Sequence, residues 1–367
     1  MFDTDVLVLG GGPAGLAASI AAASRGFSVM VVDAARPPID KACGEGLMPD
    51  SQAAAKRLGI TFPLDSCHPF RGILFNDSGS AVESNFPAGT GLGFRRTALH
   101  SVLAAHAAAA GVEFNWGHSF SSLADGAVRI GDDLVRARWI VGADGSSSRI
   151  RAWAQLDKIR RETRRFGFRQ HFRVAPWSDL MEIHWGNGCQ FYLTPVAADE
   201  ICVVLMSRDP HLRLRQALRQ FPELEQRLPG HLAITAERGS TAGLRLLNRV
   251  TRGNIALVGD ASGSVDAITG EGLCLAFQQS EALADALVNG NLNGYAGVHR
   301  SLMRRPAMMG GLMLILDRWP ALRRRVIPAM SRKPEVFRNL LALHVGDVKL
   351  MKTAATAAAF CWGVATR

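Results

Sequence analysis

The chain has 367 residues, 48% of them hydrophobic and 20% charged, with a formal net charge of +10. That apolar content suffices for one large core or two merged lobes, which excludes a disordered chain and a small scaffold dependent on disulfide or metal staples. Six dispersed cysteines (Cys43, Cys67, Cys189, Cys202, Cys274, Cys361) form no CxxC pair, no charged-then-apolar leader precedes the first strand, and the apolar stretches at 310–316 and 354–364 are too short to span a bilayer, so a cytoplasmic protein is expected.

Residues 5–9 are mainly β-branched and aliphatic, and Gly10-Gly11-Gly12-Pro13-Ala14-Gly15 and an Ala/Leu-rich segment to Arg25 follow. The order predicts strand, glycine turn and helix. Gly26 ends the helix, and residues 27–32 form a second strand finishing at Asp33, completing a βαβ unit of about thirty residues. A helix is expected from an N-cap at Thr97 to Ala110, stopped by Gly111. Strands at 112–114 and 139–141 come next, the latter ending in Gly142-Ala143-Asp144-Gly145. Between 166 and 206 the aromatic and aliphatic residues are spaced for extended chain, which predicts a largely antiparallel second sheet. Residues 254–258 return the chain to the first sheet, Gly259-Asp260 follow, and a helix is expected from about 272 to 287.

The remainder is expected to be helical, broken at Pro306, Pro320, Pro328 and Pro334. Its charge is one-sided: nine arginines and lysines from Arg304 to Arg338 face only Asp317, Glu335 and Asp347, among Leu, Met, Ile and Trp. Such basic amphipathic helices suit a solvated cap or peripheral contact with the inner face of an anionic membrane. A nucleic-acid partner is not expected, because no recognition module accompanies the charge. The expected architecture is α/β: a discontinuous Rossmann-like domain (1–160 and 240–290), a mostly antiparallel β-sheet substrate lobe (161–239) and a C-terminal helical region (291–367).

Gly10, Gly12 and Gly15 form GxGxxG between a strand and a helix, where missing side chains permit a tight turn, a close approach to a pyrophosphate and close helix packing. The helix N-terminus attracts phosphate, and Asp33 is spaced to accept hydrogen bonds from an adenosine ribose. Asp144, followed by Ser146, Ser147, Ser148 and Arg149, and Asp260, at the end of a buried strand, bring two further acids to strand ends. Thr269-Gly270-Glu271-Gly272-Leu273 then opens a helix whose N-terminus can stabilise an anion. No HExxH, zinc-spaced Cys/His cluster or nucleophile elbow is present, so no metal is expected.

At these residues the sequence resembles the FAD-dependent superfamily that contains the group A aromatic hydroxylases (para-hydroxybenzoate hydroxylase-like monooxygenases), the geranylgeranyl reductases and the flavin-dependent halogenases. The resemblance spans roughly residues 4–290. It implies an FAD domain of the glutathione reductase type, with FAD held by Gly10, Gly12, Pro13, Ala14, Gly15 and Asp33 at the ADP end and by Arg96 and Asp144 farther along. It places Gly259 and Asp260 at the ribityl chain, and Gly270, Glu271 and Gly272 at the isoalloxazine. The segment from Lys41 to Pro49 resembles the cysteine-glycine segment that borders the flavin in the reductases, which makes Cys43 a catalytic candidate beside Gly270 and Gly272; its alternative is a small residue filling a turn. His184, Gln190 and Tyr192, on strands of the second lobe, are candidates to line a substrate pocket.

The branch is read from smaller features. Gly259-Asp260-Ala261-Ser262-Gly263 leans toward the reductases, Ala267 stands where proline is common, and the halogenase signature WxWxIP is missing. The favoured expectation is an NAD(P)H-dependent monooxygenase that activates O₂ at flavin C4a to hydroxylate an aromatic, quinone-like or polyketide-derived compound. The alternative is a reductase of carbon–carbon double bonds in an isoprenoid or lipid, and halogenase ranks last. With one GxGxxG only, NAD(P)H is expected to use a transient surface site, unless a separate electron donor reduces the flavin.

Overall fold

The apolar runs after Thr4 and before Asp33 become adjacent parallel strands, Thr4–Leu9 and Val29–Asp33, in the computed structural model, which describes residues 2–124 and 127–347. They lie inside a sheet ordered Thr251–Arg252, Ile255–Leu257, Asp133–Gly142, Thr4–Leu9, Val29–Asp33, Glu113–Trp116, in which every neighbouring pair except the first is parallel. Asp133–Gly142 also continues into antiparallel strands Ala127–Ile130 and Phe120–Ala124. Val6, Val8, Val29 and Val31 pack toward helices α1 (Pro13–Ala23), α2 (Pro49–Arg57), α3 (Arg96–Ala109) and α4 (Gly272–Val288). Leu7, Leu9 and Val32 face the other way, against Phe120, Val128 and Ile150. A parallel sheet has to be covered on both faces, and this strand alternation supplies the apolar side chains for both.

The expected cap of α3 is corrected: the helix begins at Arg96 and Thr97 lies inside its first turn. The Arg96 N–H is taken instead by Glu45 Oε1, 2.9 Å away, so a distant segment does the work expected of the threonine.

The second sheet runs Arg238–Thr241, Phe166–Phe172, Glu200–Ser207, Cys189–Ala197, Met181–Trp185, Gly72–Asp77, Ser80–Asn85. Five of its neighbouring pairs are antiparallel, and one, Met181–Trp185 beside Gly72–Asp77, is parallel. Residues 72–85, expected inside the first domain, therefore belong to the second sheet. Phe191 and Leu193 face a core closed by Leu214, Leu218 and Leu224, while Ile73, Phe75, Met181, Ile183 and Tyr192 face the C-terminal helices.

Those helices are α5 (Leu292–Arg318), α6 (Pro320–Arg332) and α7 (Pro334–His344). Only two of the expected proline breaks occur. Pro320 and Pro334 stand in the first turns of α6 and α7, where a missing N–H costs nothing, whereas Pro306 and Pro328 lie inside continuous helices. Burial of the flanking apolar residues, Met303 and Met309 in α5 and Ile327 and Met330 in α6, offsets the lost hydrogen bonds. A buried polar chain ties the parts together: Arg165 reaches Asp266 (3.0 Å) and Gln190, and Gln190 donates to Asp317 of α5. The alanine-rich stretch at 354–364 lies outside the described residues.

Candidate functional site

In the glycine turn the three motif positions do different work. A Cβ on Gly15 would sit 1.8 Å from Gly10 O, and one on Gly10, whose φ is +114°, would sit 2.4 Å from Ala143 O. These two glycines allow strands and α1 to meet. A Cβ on Gly12 would meet nothing within 4 Å, so the space before the N-terminus of α1 is open to a ligand. Asp33 accepts from Gly11 N (2.7 Å) and Ala35 N (2.8 Å), which fixes its carboxylate at the rim of this space. Buried His100 holds the turn from behind through Nε2 and Gly11 O, 2.8 Å apart, and burial depresses its basicity, so the ring is neutral and donates to the carbonyl.

Asp144 is used differently from the expectation. Its carboxylate accepts from Arg149 N (2.6 Å), Ile150 N (3.3 Å) and the Ser148 hydroxyl, capping the short helix Arg149–Trp153. It shapes the loop after the strand. The third acid, Asp260, is half exposed and stands 3.4 Å from Lys41 Nζ. Gly259, just before it, packs so tightly that a Cβ would lie 2.5 Å from Ala14 Cβ, which docks this segment on α1 beside Pro13.

Gly270 adopts the left-handed conformation (φ +68°), and a Cβ on Gly272 would meet nothing within 4 Å, so the start of α4 is open like that of α1. Glu271, between them, is corrected: its buried carboxylate reaches Arg305 (3.1 Å), which also approaches Asp50 (3.4 Å), instead of the open side. Burial pushes its pKa up to about 8, against the opposing pull of Arg305.

The segment around Cys43 is the most constrained part of the site. Glu45, a non-glycine residue at φ +57° and 2% exposed, places Oε1 on Arg96 N and Oε2 2.7 Å from His171 Nε2. Arg169 in turn lies 3.0 Å from His171 Nδ1. Cys202 also brings its sulfur within 4.8 Å of the Glu45 and His171 ligand atoms; the hydrogen bond already joining those two and the adjacent guanidinium of Arg169 account for this grouping without an ion. Cys43 Sγ accepts from Glu45 N at 3.4 Å, and burial raises its pKa, partly countered by Arg96, so the thiol holds its proton at neutral pH. Glu45 received no role from sequence reasoning. Its one signal was an acid set between two glycines in Cys43-Gly44-Glu45-Gly46.

Arg96 is buried, its Nη1 has no hydrogen-bond partner, and desolvation lowers its pKa. A guanidinium in that state calls for an anion or a polar acceptor. Two open helix N-termini, a carboxylate fixed at the rim of one of them, and this unpartnered arginine fit FAD.

Beside Gly270 a cavity of about 500 Å³ opens between the second sheet and α5 to α7. Met48, Tyr192, Ile268 and Thr269 wall the end next to Gly270, and Met313, Leu316, Phe337 and Leu340 wall the helical side. His344 borders it too, with Nε2 2.9 Å from Thr269 O. Of the expected substrate residues, Tyr192 lines this cavity. His184 does not: it pairs with Glu182 (2.7 Å) on the opposite face of its strand. Gln190 is on the cavity's side of the sheet but is consumed by Arg165 and Asp317.

The sequence profile of an FAD binding domain family matches residues 3–301. A menaquinone reductase of Mycolicibacterium smegmatis is 28% identical over 331 residues, covering 82% of this chain and 80% of the relative. A ubiquinone hydroxylase of Rhodospirillum rubrum is 27% identical over 321 residues, covering 77% and 72%. Among solved structures, a flavoprotein/dehydrogenase from Cytophaga hutchinsonii superposes with a TM-score of 0.80 at 18% identity, over 94% of this chain and 92% of that one. Fold, open helix termini and profile agree: the chain belongs to the FAD-binding flavoprotein superfamily of para-hydroxybenzoate hydroxylase-like monooxygenases, geranylgeranyl reductases and flavin-dependent halogenases, and is an FAD-dependent oxidoreductase.

Proposed function

We propose that the protein reduces a carbon–carbon double bond in a lipophilic, isoprenoid-type substrate. The observation that carries this reading is the cavity beside Gly270, whose walls are aliphatic, thioether and phenyl groups with few polar atoms. Such walls favour a hydrocarbon chain and offer little to orient a charged or multiply hydroxylated compound. Bound FAD, reduced by NAD(P)H or by a separate electron donor, supplies the hydride. Gly10, Gly12, Pro13, Ala14, Gly15 and Asp33 hold its ADP end, Arg96 and Asp260 with Gly259 hold the middle, and the open turn at Gly270 and Gly272 accommodates the ring.

Addition of a hydride to one alkene carbon leaves the other needing a proton. Cys43 does not line the cavity, but the segment it opens reaches the cavity wall at Met48, and this proton is assigned to it on that ground: burial keeps the thiol protonated while Arg96 nearby stabilises the thiolate left behind. For drawing a proton from a phenol the cavity offers the unpartnered Nδ1 of His344, whose basicity burial lowers. Burial pushes the Tyr192 phenol far up, so it stays protonated, and His344 is held neutral with Nε2 donating to Thr269 O. Hydroxylation of a lipid-tailed aromatic is the second reading, favoured by the similarity to a ubiquinone hydroxylase over three quarters of this chain.

Anaerobic stopped-flow decides between them. The reduced holoenzyme is mixed with a polyprenyl alkene; reoxidation with formation of the saturated product is expected, slowed about 100-fold in Cys43→Ala while flavin reduction is unchanged. No anaerobic reoxidation, together with incorporation of labelled oxygen into a quinone-like acceptor in air, sinks the reductase reading and establishes the hydroxylase.

A further inference from the structure

We infer that the face formed by the end of α5 and the start of α6 docks on an anionic lipid bilayer, and that substrate enters the cavity through it. The inference rests on the reading that the cavity holds a lipophilic substrate. Its ground is a concentration of solvent-facing apolar side chains. Of the twelve large hydrophobic residues exposed among the described residues, five fall between 308 and 322: Met308, Leu312, Ile315, Trp319 and Leu322. Met308, Leu312 and Ile315 recur at steps of four and three along α5, so they form a single stripe on its outer side, and Trp319 follows four residues on at the helix end. Trp319, 59% exposed, stands where that helix turns into the next.

Three of the five, Leu312, Ile315 and Leu322, also line the cavity. The apolar stripe and the apolar interior are thus one continuous surface, and the stripe is the rim of the opening. A substrate leaving a bilayer here would pass from lipid to protein without crossing water. That path avoids exposing a long hydrocarbon to water.

The charges identify which apolar partner fits. Arg318, Arg324 and Arg325 are exposed beside the stripe, while Asp317, the adjacent acid, is buried against Arg208 and Gln190. Exposed arginines around an indole and aliphatic side chains match an interface of anionic headgroups over acyl chains. A second copy of this chain would oppose like charges across a two-fold axis, so it fits less well. No helix among the described residues is long and apolar enough to cross a membrane, so the contact would be peripheral.

The test is co-sedimentation of the FAD-loaded full chain with vesicles of phosphatidylcholine alone and of phosphatidylcholine with phosphatidylglycerol. Binding to the anionic vesicles is expected, weakened by salt. Arg318→Gln/Arg324→Gln should lower it about 25-fold, at about fivefold for each arginine, and Trp319→Ser should lower binding to both vesicle types. All three side chains are exposed, and a melting temperature equal to that of the parent confirms that the variants fold. Parent protein that stays in the supernatant, variants that bind as well as the parent, or a soluble dimer that Trp319→Ser dissociates would each overturn the inference. Turnover separates this from the reaction itself. The variants should lose activity on vesicle-embedded polyprenyl substrate and keep it on a short, water-soluble alkene; an enzyme inactive on both refutes the proposed reaction, while the sedimentation result still decides the docking.

Discussion

Glu45 occupies a conformation that costs an ordinary residue about 1–2 kcal/mol, and its buried carboxylate offsets this by holding Arg96 N and His171 Nε2. Removing the carboxylate leaves both groups without their partner in a water-poor site. Glu45→Ala should therefore destabilise the protein by about 3 kcal/mol or more, measured by urea denaturation. Glu45→Gly also loses the carboxylate but relieves the backbone, so it should lose about 1 kcal/mol less. A glycine variant less stable than the alanine one would mean that the left-handed backbone carries no strain. Glu271 makes a second residue-scale case, with a sign that can be worked out. Its pKa rises from 4.5 to about 8 on folding, so between those values the unfolded chain has released a proton that the folded chain retains, and stability falls as pH rises through that window. Glu271→Gln lacks this titration. Relative to the parent, it should become progressively more stable from pH 5 to pH 8; an unchanged difference in denaturation midpoint across that range would show that Glu271 ionises normally.

At the scale of elements, the strand, turn and helix that open the chain separate packing from binding. Gly15 touches Gly10 O so closely that Gly15→Ala must push α1 off the sheet, and the protein should lose solubility or melt early without any reference to FAD. Gly12 faces open space, so Gly12→Ala should leave stability within about 1 kcal/mol and weaken FAD binding about tenfold or more, read by fluorescence titration of the apoprotein. Equal effects from both substitutions would refute the division. This unit was legible in sequence because its pattern is local: glycine spacing, an apolar run on each side and Asp33 at the second strand's end. The cap of α3 was not, because Glu45 arrives from fifty residues away. Nor were Pro306 and Pro328 legible as helix residues, since the tertiary burial that keeps those turns helical leaves no mark near either proline.

For the whole molecule, the two sheets and the helical C-terminus followed from the change in periodicity near residue 166 and the return at residues 254–258. Their contents followed less well. Strand 72–77 joins the second sheet by pairing with 181–184, more than a hundred residues away in sequence, and carries 80–85 with it as a hairpin; nothing in their composition distinguishes them from strands of the first. The same distance explains why His184 and Gln190 were poor guides to the cavity. Alternation along a strand tells which residues share a face, but which face the C-terminal helices cover depends on segments that come together only in the folded chain.

The parallel pairing of Met181–Trp185 with Gly72–Asp77 also bears on how the chain is made. As it leaves a ribosome, the hairpin at 72–85 has no further strand to pair with until the segment near 181 has been synthesised, and the face toward the C-terminal helices stays bare until about residue 340. Contacts this non-local slow folding and leave unpaired edges exposed in the meantime. A fragment limited to residues 161–240 should not fold by itself, having neither those strands nor the covering helices. Its amide hydrogens should exchange within seconds, and a co-expressed fragment covering 1–160 should restore only part of the protection that the intact chain shows.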